Sequence, residues 1–206
     1  MAGGGCSLAL ANDIERELAA GAAAIISFGV AGALMSQLAP GALIVASTIV
    51  GAEENFPVHA EWTSALLRRL PAAVNAPLAG SDAVVGDPDS KSRLHTQTGA
   101  SAVDMESHIA ARVAAEHGLP FVALRAIADP LSRTLPPAAL IAMRADGGID
   151  IHAVMRSLAH TPHQIPQLLR LALDMQRALS ALASGRRLLR NRLGYADLDE
   201  LVLHVI

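Results

Sequence analysis

Runs of apolar residues alternate along the chain with segments whose apolar positions recur at helical spacing. The apolar runs stop at glycine or proline and lack polar alternation, which is typical of strands buried on both faces of a sheet. The helical segments end at similar breakers. The predicted strands are Ala23–Phe28, Leu43–Ile49, Leu78–Val85 and Phe121–Ala128. The predicted helices are Leu8–Ala20, Glu61–Leu70, Val103–His117 and Gln164–Ala183, with a turn at Gly86–Ser90 and a loop at Leu131–Asp150.

This alternation predicts an α/β fold whose sheet is covered by helices on both faces. The 206 residues suffice for one domain with a sizeable core, and no internal repeat or linker divides them. We therefore expect a single domain over residues 1–206. With 52% hydrophobic and 17% charged residues, the composition is that of a globular protein.

Net charge, aromatic content and the number of cysteines indicate which binding partners and which cellular compartment to expect. The net charge of −3, with three Phe, one Tyr and one Trp, argues against a nucleic-acid surface. Cys6 is the only cysteine, so we expect no internal disulfide. We also expect a cytoplasmic location. We expect no signal peptide and, from the spacing of the eight histidines, no metal site. The apolar stretch Ala19–Met35 is interrupted by Gly29 and Gly32, which favours a buried strand and turn over a membrane span.

The first candidate for chemistry is the glycine-containing segment Ser27–Leu34, which follows a predicted buried strand. Glycines at such a position let backbone N–H groups approach a ligand closely, and Gly29 and Val30 are the candidate positions. The alternative is a turn required only for packing. The segment lacks the full glycine spacing of a dinucleotide-binding motif.

The second candidate is a pair of carboxylates, Asp104 and Glu106, near the start of a predicted helix. Negative charge is favoured at a helix N-terminus, so helix capping is a sufficient explanation for Asp104. Glu106 is expected to face inward, because Ile109 and Val113 place the apolar side of the helix near it. A buried carboxylate needs partners, and two adjacent sugar hydroxyls would supply them.

The third candidate is the segment Ala123–Pro130, in which Arg125 interrupts an apolar strand. Arg125 is therefore expected to pair with a buried carboxylate and is counted among the candidate binding residues. Asp129 stands at the C-terminal end of this predicted strand, where open α/β sheets place their ligands. The alternative for Asp129 is the start of an ordinary loop before a proline.

The order of these three segments resembles the nucleoside phosphorylase superfamily, whose nucleosidase branch shows similar GxAGG, VxMEx and RAISD segments. The stretches Ala102–Ala111 and Leu135–Ala139 further resemble the bacterial hopanoid-associated phosphorylases. The resemblance implies a three-layer α/β/α fold with a mixed central sheet, lacking the first strands because the Gly-rich segment already stands at Gly3–Gly5. It also implies cleavage of a purine N-glycosidic bond, namely adenine release from adenosylhopane by phosphorolysis or hydrolysis.

The resemblance also implies roles for individual residues. Asp129 would act as the catalytic general acid toward the purine N7, and Glu106 would bind the ribose with Met105 against the sugar. The base would lie against Val84 and Val85, where the family often carries an aromatic side chain.

Phosphate is the co-substrate that the resemblance allows, and the resemblance implies no metal or organic cofactor. The backbone of Gly29 and Val30 would hold that phosphate, because Ser27 and Val30 stand at the positions where Arg and Ser hold it in phosphorolytic relatives and leave that site depleted. The resemblance further implies a homo-oligomer. Two alternatives remain from other classes: a protein that binds the nucleoside without cleaving it, and a dinucleotide-binding oxidoreductase.

A cluster of arginines follows the last predicted helix, namely Arg186, Arg187, Arg190 and Arg192. A basic amphipathic segment is able to lie on an anionic membrane, which would suit a lipid-linked substrate and peripheral membrane association. The alternative is a helix packed on the sheet with a solvated basic end.

Overall fold

The computed structural model describes residues 4–137, 139, 161, 164–189, 193 and 195. Arg190 and Arg192 of the predicted basic cluster lie outside the described residues, as does most of the predicted loop Leu131–Asp150. The strands are β1 (Ile25–Ala33), β2 (Leu43–Val50), β3 (Asn55–Pro57), β4 (Val74–Gly80), β5 (Ala102–Asp104) and β6 (Phe121–Asp129). The helices are α1 (Gly4–Ala19), α2 (Ala60–Arg69), α3 (Pro88–Thr98), α4 (Ser107–Glu116) and α5 (Ile165–Leu189).

One mixed sheet of six strands, in the order β3-β2-β4-β5-β1-β6, organises the described part of the chain. The pairs β1–β6, β2–β4 and β4–β5 are parallel, whereas β1–β5 and β2–β3 are antiparallel. The sheet also closes on itself, because β2 pairs antiparallel with β6 and brings Ile44 opposite Arg125. The predicted α/β fold with a mixed sheet is confirmed, and the closure is a feature that the apolar pattern alone does not predict.

Helices cover both sides of the sheet because alternate residues of each strand point to opposite faces. In β6, Ala123 and Ile127 belong to the apolar cluster that contains residues of α1 and α4, while Val122 and Leu124 belong to the cluster with α2 and α5. Trp62 of α2, almost fully buried, lies in the second cluster. Both faces are therefore apolar, which is why the strands lack polar alternation.

Two predicted element boundaries are wrong near the candidate residues. The predicted turn at Gly29–Gly32 is part of β1, because these residues pair in register with β6 from Arg125 to Asp129. The predicted helix start at Val103 is strand β5, since Val103 pairs with both Gly32 and Ala79, and helix α4 begins only at Ser107. In each case hydrogen bonds to strands distant in the chain override local spacing.

Two further predictions fail around the segment between β4 and β5. The predicted strand Leu78–Val85 ends at Gly80, and the predicted turn Gly86–Ser90 includes the start of α3. The Asp87 carboxylate accepts a hydrogen bond from the Ser90 backbone N–H at 2.9 Å, so Asp87 is an N-cap followed by proline at the first helical position. Gly99 ends α3 in the left-handed region, at φ 68°.

The apolar stretch Ala19–Met35 contains β1, which lies between β5 and β6 in the sheet. Within the described ranges, no helix has the length and apolar character needed to cross a membrane.

Candidate functional site

The carboxyl group of Asp129 lies at the C-terminal end of β6, where the sequence predicts it. Its Oδ2 is 2.6 Å from the ammonium nitrogen of Lys91 on α3, and the Lys91 side chain is completely buried. The Asp129 side chain keeps 14% of its surface exposed. Most of this side chain is therefore removed from water, and a small part of it stays exposed at the strand end.

The two oxygens of this carboxyl group differ in their surroundings. Oδ2 pairs with Lys91, whereas Oδ1 is buried and has no hydrogen-bond partner among the described residues. Burial raises the pKa of the Asp129 carboxyl above its ordinary value, and the hydrogen bond and charge of Lys91 act in the opposite direction. A raised pKa means that Asp129 holds a proton at higher pH than an exposed aspartate does.

A buried polar cluster is centred on Arg125, four residues before Asp129 in β6. The Arg125 Nε is 2.5 Å from the Asp104 Oδ2, and both side chains are almost fully buried. Arg125 also donates through Nη2 to the hydroxyl oxygens of Ser27 at 2.6 Å and Ser107 at 3.0 Å. The predicted pairing of Arg125 with a buried carboxylate is confirmed, and its partner is Asp104.

Asp104 has a second task, because it also binds the first turn of α4. Its Oδ1 accepts hydrogen bonds from the backbone N–H groups of Ser107 at 3.0 Å and Glu106 at 3.3 Å. The Ser107 hydroxyl donates to Asp104 Oδ2 at 2.5 Å. Asp104 therefore binds backbone N–H groups at the start of α4, as the capping interpretation expects, although Glu106 is the N-cap residue, and the same carboxylate connects the helix to Arg125 of β6.

Glu106 lies at the start of α4 next to this cluster and is only partly buried. Its Oε2 is 3.7 Å from the Arg125 Nη2, and 39% of the side chain is exposed. Partial burial raises the pKa of Glu106, while Arg125 lowers it and the nearby Asp104 carboxylate raises it further. The carboxylate keeps free acceptor capacity toward solvent, as a residue that binds neutral hydroxyl groups requires.

Strand pairing joins the end of β6 to β5 across β1. Gly32 of β1 lies between Val103 of β5 and Asp129 of β6 in the register of the sheet. A Cβ atom at position 32 would lie 3.6 Å from both the Asp129 Oδ2 and the Val103 Cγ1. The absent side chain therefore leaves the backbone of β1 open between the acidic end of β6 and the segment that carries Glu106.

The remaining predicted residues occupy different places around this centre. Gly29 and Val30 lie inside β1, opposite Arg125 and Ala126, and not in the turn on which the predicted phosphate contact relied. Val84 and Val85 lie in the segment between β4 and α3, with Val85 packed against a small apolar cluster that includes Val103. Met105 is half-buried between β5 and α4. Their roles toward a ligand stay predictions.

The sequence analysis does not predict Lys91 as part of the site, nor the contacts of Ser27 and Ser107 with Arg125. The only signal for Lys91 is that it is the one lysine of the chain. Ser27 and Ser107 are fully buried polar residues, and their hydroxyl oxygens are 3.0 Å apart although eighty positions separate them. Among the residues that the structure describes, no group of His, Cys, Asp and Glu is arranged to hold a metal ion.

A family comparison identifies the class of protein. The model of the phosphorylase superfamily matches residues 4–158, well over half of the chain. The chain therefore belongs to the phosphorylase superfamily, a class of enzymes, as its sequence predicts. No curated protein matches the chain significantly by sequence.

Solved structures with the same fold include two nucleosidase types from Helicobacter pylori. A futalosine hydrolase mutant of strain 26695 is 23% identical, with a TM-score of 0.54 over 60% of this chain and 63% of that one. The native futalosine hydrolase is 19% identical, with a TM-score of 0.58 over 87% and 73%. A mutant of the 5′-methylthioadenosine/S-adenosylhomocysteine nucleosidase with 5′-methylthioadenosine in its active site is 20% identical, with a TM-score of 0.58 over 87% and 74%. The chain thus spans 63–74% of the length of these relatives, less than two thirds in the case of the futalosine hydrolase mutant.

The buried Arg125–Asp104 pair generates a prediction about stability. Arg125→Met leaves the Asp104 charge buried without its partner, so we expect a loss of about 3–5 kcal/mol in the free energy of unfolding, measured with urea. Adding Asp104→Asn removes that charge and should restore part of the loss. Arg112→Met, at an exposed position of α4, is the control and should change stability by about 0.5 kcal/mol or less. A loss below about 1 kcal/mol for Arg125→Met alone would contradict this account.

Proposed function

We propose that the protein cleaves the N-glycosidic bond of a purine nucleoside. The observation that carries this proposal is the Asp129 carboxyl group, which is buried at a strand end with a raised pKa and one unpaired oxygen. The partly exposed Glu106 follows β5, the strand whose Val103 is joined to Asp129 through Gly32 of β1. Purine release needs an acid that holds its proton and an acceptor suited to sugar hydroxyls, and Asp129 and Glu106 supply these two groups.

In this proposal Asp129 donates its proton to the purine N7 as the bond between C1′ and the base breaks. Protonation makes the base a neutral leaving group while C1′ gains oxocarbenium character, as in glycoside cleavage, and water or phosphate then forms the new bond to C1′. Glu106 accepts hydrogen bonds from the ribose hydroxyls, and Met105 packs against the sugar. The base lies between the apolar side chains of Val84 and Val85, without an aromatic stacking partner.

The substrate we propose is adenosylhopane, with adenine as the released base. The sequence resemblance to hopanoid-associated phosphorylases supports this choice. A nucleosidase of the same fold has 5′-methylthioadenosine in its active site, which is an adenosine substituted at the 5′ carbon. Adenosylhopane carries its lipid at the corresponding carbon. Adenine release from adenosylhopane, followed with and without phosphate, separates phosphorolysis from hydrolysis, and binding without release would favour a non-catalytic protein.

The Asp129 assignment makes a kinetic prediction. Asp129→Asn removes the transferable proton, so we expect kcat for adenine release to fall by about 10²–10⁴-fold. In the unmodified protein, activity should be present while Asp129 is protonated and decline as pH rises through its raised pKa. Asp89→Asn, an exposed position of α3, is the control. Wild-type turnover by a folded Asp129→Asn protein would disprove the assignment.

Glu106 makes a separate prediction about ribose binding. Glu106→Ala should lower kcat/KM by about 10–100-fold, because a hydrogen bond to a charged group contributes about 1.5–3 kcal/mol. The loss should be much smaller for a substrate that lacks the ribose hydroxyls, such as 2′,3′-dideoxyadenosine. Glu116→Ala, exposed at the end of the same helix, is the matched control. Unchanged kcat and KM in Glu106→Ala would rule out the ribose role.

We also propose that the protein contacts a membrane, because a lipid-linked substrate requires it. Arg186 and Arg187 are exposed in the last turn of α5, beside Leu188, which is 59% exposed. We expect the protein to float with phosphatidylglycerol vesicles and not with phosphatidylcholine vesicles. Replacing both arginines by Gln should weaken binding by about 1 kcal/mol for each charge removed. Replacing the exposed Arg93 and Arg112 by Gln is the control, and no flotation of the wild-type protein would refute membrane contact.

A further inference from the structure

Lys91 is a completely buried cation whose position is determined by three oxygen atoms. We propose that Lys91 is a positioning residue for the reaction, which holds Asp129 by Oδ2 so that the transferable proton resides on Oδ1. This inference rests on the proposed function and adds to it a residue outside the segments that the family resemblance marks. Each proton of the Lys91 ammonium group has an acceptor, the two oxygens of the Asp129 carboxyl group have different surroundings, and the oxygens around Lys91 are held in place by the rest of the fold.

The ammonium group of Lys91 has a hydrogen-bond acceptor for each of its three protons. Nζ is 2.6 Å from the Asp129 Oδ2, 3.1 Å from the Pro130 carbonyl oxygen and 3.0 Å from the Arg133 carbonyl oxygen. A lysine ammonium group has three donors and no acceptor. All three donors of Lys91 are used within the protein and none is left for a ligand, so its action on a substrate passes through Asp129.

The pairing makes the two oxygens of Asp129 chemically different. Oδ2 accepts a charge-assisted hydrogen bond from the ammonium group, so a proton on this oxygen would face a donor instead of an acceptor. The proton of the neutral acid is therefore held on Oδ1, the oxygen that has no partner among the described residues. During base release the O–H bond at Oδ1 breaks as the N7–H bond forms. The carboxylate charge left behind is then compensated by Lys91, which gives up no proton.

The oxygen ligands of Lys91 are themselves held in place by the rest of the fold. The Arg133 guanidinium group is 2.6 Å from the Asp174 carboxylate on α5, and Asp174 also accepts a hydrogen bond from Arg177 at 3.0 Å. The Leu135 backbone N–H donates to the Gly86 carbonyl oxygen at 2.8 Å. The segment after β6 is thus fixed from two sides, and the ammonium group has little freedom to move.

Charged groups from three elements act on the Asp129 carboxyl group. Lys91 faces it from α3, Arg133 from the segment after β6 and Asp174 from α5. The two cations lower the pKa of Asp129, whereas burial, which has the largest effect, and Asp174 raise it. Removing the Lys91 charge should therefore raise this pKa further, since burial remains. An opposite charge at this distance commonly changes a carboxyl pKa by about 1–3 units.

The test compares Lys91→Gln, which is neutral but still donates hydrogen bonds, with Lys91→Arg, which keeps the charge in a planar group. Adenine release from 5′-methylthioadenosine is measured across pH for the full chain. For Lys91→Gln, we expect kcat to fall about tenfold or more and the decline at high pH to move upward by about 1–3 units. For Lys91→Arg, the decline should stay near its wild-type position while kcat falls. Arg93→Gln, an exposed charge removed from the same helix, should match the wild-type protein in both respects.

A second measurement does not depend on activity. The pKa of Asp129 is followed by NMR of protein labelled with ¹³Cγ-aspartate, with Asp129→Asn identifying the signal and thermal unfolding confirming that each variant is folded. An upward displacement in Lys91→Gln and none in Lys91→Arg supports the proposal. An unmoved Asp129 titration in folded Lys91→Gln, or an unmoved pH profile with wild-type kcat, overturns it.

The two proposals fail in different ways. If the wild-type protein releases no adenine from 5′-methylthioadenosine, adenosine or adenosylhopane, the proposed function fails, and the NMR titration alone decides whether Lys91 controls the protonation of Asp129. If adenine is released and Lys91→Gln behaves as the wild-type protein does, the proposed function stands and the role of Lys91 is refuted.

Discussion

The site depends on the ion pair between Arg125 and Asp104, which joins strand β6 to strand β5. Arg125 stands in the middle of β6, Asp104 ends β5, and β1 runs between these two strands. A buried charge without a partner is costly, so the two residues constrain the register of three strands and the start of α4 together. Asp129 and Glu106 are then placed by short connections, each a few residues from one member of the pair.

The same cluster explains how two acidic residues close in the fold have different environments. Asp104 is buried against Arg125 and two backbone N–H groups, so its acceptor capacity is used within the protein. Glu106 is partly exposed and 3.7 Å from the same guanidinium group, which leaves it able to accept from a ligand. Asp129 receives a separate cation, Lys91. Asp104 and Glu106 thus share one guanidinium group at different distances, whereas Asp129 has a cation of its own.

Much of the fold is predictable from the sequence because burial on both faces leaves a strong pattern in strands such as Phe121–Asp129. The same pattern places Asp129 at a strand end and requires a partner for Arg125. The pattern fails at Gly29–Gly32 and at Val103, where pairing with distant strands decides the structure. It fails also for Lys91, since a polar helix gives no indication that one of its side chains is fully buried against Asp129.

Lys91 is the one lysine in a chain whose other Lys or Arg positions are all arginine. The contacts at position 91 explain this choice. Three oxygens converge on a single nitrogen at 2.6–3.1 Å, which suits the compact ammonium group. A guanidinium group spreads its donors over a planar fork, so it would reach the same oxygens only if the carboxyl group or the segment after β6 moved. An acid whose proton must point at one atom of a substrate tolerates little such movement. The geometry therefore requires a point charge at this position, and positive charge by itself is not sufficient.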